Sequence, residues 1–113
     1  WADLREQRLA FFAGDGPLWR LSVPPAAALD ELGGDRLIDW GGAQRWLRSE
    51  APAEAVREAA AEAGGHAALF RGGDRAGEVL APLSAPLLQI HRSLKRALDP
   101  HGLFNPGRMY ADL

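Results

Sequence analysis

The 113-residue sequence contains no cysteine, no excess of basic residues and no long apolar run. The absence of cysteine excludes disulfides, thiolate zinc sites and a cysteine nucleophile. A net charge of −2 at pH 7 argues against a nucleic-acid-binding surface. Since no apolar run approaches the ~20 residues of a membrane span, we expect no transmembrane helix. What remains is the composition of an ordinary globular protein, at a length that fits one domain.

The sequence also lacks the residue spacings that are typical of metal sites and dinucleotide-binding loops. The histidines His66, His91 and His101 form no His-x-His or HExxH arrangement, so we expect no metal site. Gly14 and Gly16 precede a predicted strand, whereas a dinucleotide-binding loop follows one. We therefore interpret these glycines as part of a turn.

The order of predicted elements indicates the fold. Helices are predicted over 2–13 and 86–98, where apolar residues recur at helical spacing, and over 53–63, which is rich in alanine. A short helix is predicted over 26–32, with Pro25 in its first turn and Gly33-Gly34 after its end. Four strands are predicted from short or alternating apolar runs: 18–23, 36–40, 43–48 and 66–70. Ser49 is expected to cap the third helix. The middle of the chain thus follows the βαββαβ order of the ferredoxin-like fold. The predicted class is α+β, an antiparallel sheet with helices on one face, flanked by an N-terminal helix and a C-terminal helix and tail.

A hairpin is predicted at Gly41-Gly42, because the favoured two-residue turns need positive φ. Its register would pair Ile38 with Arg45 and Leu37 with Trp46. We expect one face of the hairpin to carry Ile38, Trp40, Ala43 and Leu47, with Trp40 in the core. The more mixed face would carry Leu37, Asp39, Gln44 and Trp46.

The sheet face away from the helices would stay open unless a partner covers it. Arg20, Ser22, Gln44, Trp46 and Arg71 are candidates to line it. Arginine beside tryptophan suits an anionic ligand. The same pair is enriched in protein interfaces, and we favour the interface interpretation.

The C-terminal tail has a defined local structure. The last helix is expected to end at Asp99, before Pro100. Residues 105–107, Asn-Pro-Gly, set a second turn. Leu103 and Phe104 add apolar surface. The tail either docks on something outside this chain or folds back onto its own domain.

The tail segment Asp99-Pro100-x-Gly102-x-Phe104-Asn105-Pro106-Gly107-Arg108 resembles the terminal signature of FAD-linked oxidases of the vanillyl-alcohol oxidase type. Residues 17–24, 39–47 and 104–110 are similar to stretches of the FAD-binding subunits of bacterial glycolate oxidases. The resemblance covers nearly the whole chain. The hairpin segment Trp-Gly-Gly-Ala-Gln-Arg-Trp is its most specific part.

The resemblance implies that residues 1–113 are a single cap domain whose FAD-binding domain lies upstream. A start at Trp1 rather than methionine fits a fragment of a longer protein. Residues 99–113 would form a tail that docks on the missing domain, which would bind most of the FAD. The fragment alone is expected to bind no FAD and to be inactive.

The resemblance also implies a function for the whole complex, the oxidation of glycolate to glyoxylate by hydride transfer to FAD. Other glycolate oxidase subunits, including an iron–sulfur subunit, would be partners. The expected location is the cytoplasm, with association to the inner membrane through the complex. The chain lacks the metal-binding histidine pairs of the catalytic D subunit and of related D-2-hydroxy-acid dehydrogenases. Which subunit performs the chemistry therefore stays open.

The expected cofactor-binding or substrate-facing residues are Arg20, Gln44, Arg45 and Trp46. Asn105 is expected to contact the FAD-binding domain. Sheet parity could instead place Arg45 on the helix-covered side, in a structural role. On this hypothesis, changing Arg20 or Trp46 to alanine lowers flavin-linked activity more than stability. The alternative function is a stand-alone ferredoxin-like regulatory or dimerisation module that binds a small ligand.

Overall fold

The computed structural model describes residues 1–29 and 32–113. The strands are β1 (Leu18–Ser22), β2 (Asp35–Asp39), β3 (Gln44–Arg48) and β4 (His66–Arg71). The α-helices are α1 (Ala2–Arg5), α2 (Ala53–Glu62) and α3 (Ala85–Leu98). Two short 3-10 segments lie at Ala10–Ala13 and Trp40–Gly42.

The strands form one antiparallel sheet in the order β2-β3-β1-β4. This is the strand order of a ferredoxin-like sheet, and the predicted α+β class is confirmed. Ile38 lies opposite Arg45 and Leu37 opposite Trp46, so the predicted hairpin register is also confirmed. The position of the Gly41-Gly42 turn was sufficient to predict this pairing, because the turn sets the register of a hairpin.

The main core lies between the sheet and α2. Val56 and Ala60 of the helix are fully buried. Small side chains at these positions let the helix approach the sheet closely. The buried strand residues that share this core are Trp19, Leu21, Leu47, Ala67 and Leu69.

The predicted helix over 26–32 is wrong where the structure describes it. The backbone turns at Pro24, whose carbonyl accepts from the Ala27 N–H at 2.9 Å, and residues 26–29 are not helical. Positions 30 and 31 lie outside the described residues. Two consecutive prolines favour a turn, and so short a segment gains little from helix formation. Leu29 and Leu32 are buried in the core although no helix presents them.

The N-terminal helix is shorter than predicted. It ends at Arg5, Gln7 takes a φ of 54°, and the chain becomes helical again only in the 3-10 segment Ala10–Ala13. This break lets Phe12 pack against the sheet, so tertiary contact overrides helical propensity. Ser49 does not cap α2, because Pro52 occupies the N-cap position and the Ser49 hydroxyl accepts from the Ala51 N–H at 3.2 Å.

The prediction that Trp40 lies in the core is wrong, because its side chain is 71% exposed. The loop between β2 and β3 spans residues 40–43, so Trp40 leaves the strand ladder immediately after Asp39. Its φ of 50° lies in the left-handed region, and the Asp39 carboxylate accepts from its backbone N–H at 2.8 Å.

Helix α3 lies outside both hydrophobic clusters and has no buried residue. Its apolar stripe of Leu87, Ile90, Leu94 and Leu98 follows the predicted helical spacing. The stripe faces solvent instead of the sheet. A strongly amphipathic helix with no core to cover suggests an absent partner surface.

Candidate functional site

The sheet face opposite α2 is divided into two halves, and an aromatic cluster seals one of them. Trp46 stands at the centre of this cluster. The rings of Phe12 and Phe70 pack edge-on against it, with centroid distances of 5.4 and 5.0 Å. Leu18 lies fully buried in the same cluster, and Trp46 is only 6% exposed. This half of the face is a second small core rather than an open surface.

Arg48 holds the N-terminal segment against this half. Its Nε and Nη2 donate to the Phe11 carbonyl at 3.2 and 3.1 Å. Its Nη1 donates to the carbonyls of Gly14 and Gly16 at 2.7 and 3.0 Å. Sequence reasoning missed this role. The available signal was that Arg48 shares a strand face with Trp46, two residues away.

The other half of the face is polar and accessible. Asp39, Gln44, Ser22 and His66, one residue from each strand, lie side by side in register. We call these four residues the polar row. Ser22 and His66 are exposed, and Gln44 and Asp39 are half-buried.

Arg20 lies next to the polar row, between Trp46 on β3 and Ala68 on β4. Its side chain is exposed. Within residues 1–29 and 32–113 it makes no hydrogen bond or ion pair. The guanidinium therefore offers a full set of donors at the boundary between the aromatic cluster and the polar row.

The structure brings three of the expected sheet residues to one face and excludes the fourth. Arg20, Gln44 and Trp46 share the face opposite α2. Arg45 lies on the helix-covered side, because successive strand residues point to opposite faces. Its guanidinium donates to the carbonyls of Gly42 and Pro25, each at 3.1 Å, and ties the hairpin to the preceding loop. The structural alternative for Arg45 is the one observed.

Arg71, the remaining candidate for this face, donates to the Gln7 side chain at 3.1 Å. It therefore contributes to holding the N-terminal segment.

The tail folds back along α3 rather than entering the sheet core. Arg92 and Asp112 form an ion pair at 2.7 Å. The Tyr110 hydroxyl donates to the Ala81 carbonyl at 3.3 Å. Asn105 is exposed at the tip of the tail, with a φ of 47°.

Helix α3 and the tail together present one apolar surface, which we call the docking surface. Its large side chains are 48–75% exposed: Leu87, Ile90, Leu94, Leu98, Leu103, Phe104 and Met109.

Asp99 fixes the junction between α3 and the tail. Its carboxylate accepts from the Leu103 and Phe104 N–H groups, each at 2.9 Å, and from the Lys95 ammonium at 2.6 Å. Lys95 also donates to the Phe104 carbonyl. The hydrogen bond from Lys95, then those from the two backbone groups, lower the pKa of Asp99 from 3.8 to about 2. The ionised carboxylate thus orders the start of the tail.

The tail junction is expected to depend on pH in the window set by Asp99. Because its folded pKa is depressed, its stabilising effect is complete above pH 3.8 and is lost as the pH falls through about 2. An NMR titration should show the Asp99 carboxyl and the Leu103 and Phe104 amides shifting together near pH 2. Asp99→Asn should remove this transition from the two amides. Titration of Asp99 near 3.8 would contradict the arrangement.

The part of the chain that the structure describes contains neither a cluster of metal ligands nor a membrane-spanning helix. No three His, Asp or Glu side chains come together there in a way that could hold a metal ion. In the same residues no helix combines the length and the apolarity needed to span a bilayer.

Comparison with known proteins gives two matches. Residues 37–109 match the family described as "FAD linked oxidases, C-terminal domain". The whole chain is 54% identical to glycolate oxidase subunit GlcE of Escherichia coli (strain K12), over 113 residues. The chain spans 31% of the length of that relative. No solved structure matches the chain significantly.

Proposed function

The chain belongs to the family of FAD-linked oxidase C-terminal domains, and on that basis we propose that it covers the flavin in a glycolate-oxidising subunit. The observation that carries this proposal is the exposed docking surface on α3 and the tail. Residues 1–113 would form one cap domain, and residues 99–113 would dock on an FAD-binding domain located upstream. The similarity to a relative about three times as long supports a further domain in the same polypeptide.

The size and composition of the docking surface support a permanent partner. Its seven large apolar side chains lie on one helix and one adjoining segment. Burying a side chain of this kind contributes roughly 1.5–3 kcal/mol. Soluble monomers rarely leave so much contiguous apolar area in water. Asn105, exposed beside this surface, is proposed to hydrogen-bond with the FAD-binding domain.

Packing of the tail on α3 favours the cap over the stand-alone module. In the module, the tail would fill the core of its own domain. Here Leu103 and Phe104 remain exposed, and no tail residue belongs to either described cluster. The polar half of the sheet face is also left uncovered by the N-terminal segment.

The polar half of the face fits one side of a flavin and the substrate beside it. The N–H donors of the Arg20 side chain have no partner among the described residues, and Gln44 adds an amide that can donate or accept. Trp46 would support this surface from below, since its ring is buried. The glycines between β4 and α3, Gly72 and Gly73, lack the G-x-G-x-x-G spacing of a pyrophosphate-binding loop and do not lead directly into the helix, which begins at Ala85. The chain would therefore contact the flavin ring and the substrate, and the upstream domain would hold the rest of FAD.

In the complete enzyme, glycolate would lose its hydroxyl proton and the hydride on its α-carbon to give glyoxylate. FAD, when bound, supplies the hydride acceptor. The residues of this chain would orient the acid and exclude water from the reacting side. Other subunits of the complex, including an iron–sulfur subunit, are proposed as the partners that receive the electrons.

The docking surface can be tested with Leu94→Lys in the full-length polypeptide. A lysine buried there would leave an uncompensated charge, at a cost of about 3 kcal/mol. We expect the purified variant to retain much less FAD, to melt earlier and to lose glycolate-dependent dye reduction. In the 113-residue chain alone the same change should leave the melting temperature nearly unchanged, since Leu94 is exposed there.

Gln89→Lys is the matched control, because Gln89 is exposed on the polar side of the same helix. It should retain the FAD content and turnover of the wild type. Normal FAD content in the Leu94→Lys variant would rule out docking through α3. If the wild-type protein binds FAD normally but does not oxidise glycolate, the assignment as a cap domain stands and glycolate is rejected as the substrate.

A further inference from the structure

We propose that Arg20 and His66 bind the carboxylate of a small 2-hydroxy acid between them, with Ser22 as the floor of the site. The proposal rests on the proposed function for the identity of the acid. It adds His66 and Ser22 to the residues expected from the sequence, and it assigns a chemical group to Arg20.

The register of the sheet brings these residues together. Ser22 lies directly opposite His66, and Arg20 lies opposite Ala68 on the same pair of strands. Arg20 and His66 are therefore diagonal neighbours on one face, with Cα atoms ~7–8 Å apart. That spacing lets two long polar side chains reach the two oxygens of one carboxylate. Ser22, two residues from Arg20 on the same strand and directly opposite His66, adds a hydroxyl on this face that can donate to the same group.

The charge distribution around Arg20 favours an anion from outside the chain. Its nearest neighbours along β1 and directly opposite on the adjoining strands are Leu18, Ser22, Trp46 and Ala68, all of them neutral. The nearest carboxylate in the polar row, Asp39, lies two strands away beyond Gln44, and it accepts from the Trp40 N–H at 2.8 Å. Among residues 1–29 and 32–113 no carboxylate forms an ion pair with Arg20, and an exposed guanidinium of this kind is suited to a charge-assisted hydrogen bond with a ligand.

The surroundings limit the size of the acid. On one side of Arg20, Trp46 and Phe70 pack together with a ring-centroid distance of 5.0 Å and form an apolar wall. On the other side the polar row supplies the Ser22 hydroxyl, the Gln44 amide and the His66 imidazole. A ligand with one carboxylate and a hydroxyl-bearing carbon matches this division, whereas a long apolar acid would not find a matching surface along the row.

Binding can be measured apart from turnover with oxalate as the probe. Oxalate has two carboxylates and no C–H bond, so it cannot lose a hydride. Isothermal titration of the full-length, FAD-containing polypeptide should give saturable binding of oxalate, and the neutral diamide oxamide should not bind. Absence of oxalate binding to the wild type would overturn the proposal.

The variants then identify the site. Arg20→Gln should weaken oxalate binding about tenfold or more, as expected for a lost charged hydrogen bond. His66→Gln should weaken it roughly three- to tenfold. Both side chains are exposed, so the melting temperature should stay the same. The control is Arg5→Gln, which removes an exposed arginine of the N-terminal segment and should change affinity less than about twofold.

The outcomes separate this inference from the proposed function. Unchanged oxalate affinity in both Arg20→Gln and His66→Gln overturns the carboxylate site, even if the enzyme oxidises glycolate. Loss of oxalate binding in those variants supports the site, even if the wild type proves unable to oxidise glycolate. In that case the site is kept, and the substrate is sought among other 2-hydroxy acids.

Discussion

Replacing Trp46 by alanine is expected to lower the free energy of unfolding by about 3–5 kcal/mol, the usual cost of removing a buried aromatic side chain. Its ring is the centre of the cluster with Phe12 and Phe70, and Leu37 packs against the same cluster. Alanine would leave a cavity that these neighbours, held on separate elements, cannot fill. The N-terminal segment should also loosen, because Phe12 would lose its edge-on contact with the Trp46 ring.

Trp40→Ala is the matched control, since it removes the same side chain from an exposed position. We expect a change in stability of less than about 0.5 kcal/mol, as for an ordinary surface substitution. Chemical denaturation followed by circular dichroism compares the two variants directly. Equal losses of stability in both would contradict the burial pattern described here.

This expectation revises the hypothesis drawn from the sequence that Trp46→Ala mainly affects activity. Because the Trp46 side chain is only 6% exposed and packs between two rings, its removal is expected to reduce the stability of the fold rather than to affect ligand binding alone. The same hypothesis stands for Arg20, whose side chain makes no described contact that folding would need.

Gly65→Ala is expected to destabilise the domain by about 3 kcal/mol or more. A Cβ at this position would lie 2.0 Å from the Ser22 carbonyl oxygen and 2.8 Å from the Val23 Cα. Both neighbours are backbone atoms at the end of the central strand β1, so neither can rotate away. Relief would require β4 to separate from β1, and the β1–β4 pairing also places His66 beside Ser22.

Gly33→Ala serves as the control, because an added Cβ there meets no atom within 4 Å. It should be neutral or raise stability slightly, by up to ~1 kcal/mol, through a less flexible unfolded chain. The melting temperature should therefore fall clearly in Gly65→Ala and should stay the same or rise slightly in Gly33→Ala. A Gly65→Ala variant as stable as the wild type would mean that the turn before β4 is not packed as described.

Much of the fold could be predicted because it depends on local periodicity. The alternation of Trp19 and Leu21 along β1 follows from the period of two in a strand. The pairing of Leu37 with Trp46 follows from the position of the Gly-Gly turn between their strands. The bounds of α2 and α3 follow from helical spacing and from the prolines before them. These elements and their order were enough to predict the ferredoxin-like sheet.

The candidate site was predicted only in part. The sequence singled out Arg20, Gln44 and Trp46 for one face, and they share it. It did not distinguish an accessible side chain from a covered one, because Phe12 and Phe70 reach Trp46 from distant parts of the chain. It missed His66 for a related reason: the residue gains its neighbours only when β4 pairs with β1.

Local sequence alone was enough to predict the register of the hairpin, the amphipathic stripe on α3 and the turns around Pro100 and Pro106. All of these arise from dihedral preferences and periodicity within a few residues. Three features could not be predicted in this way: Trp46 is buried, Trp40 is exposed and the stripe on α3 faces solvent. Burial depends on which distant segments meet, and that information lies in the packing of the whole chain rather than in any local pattern.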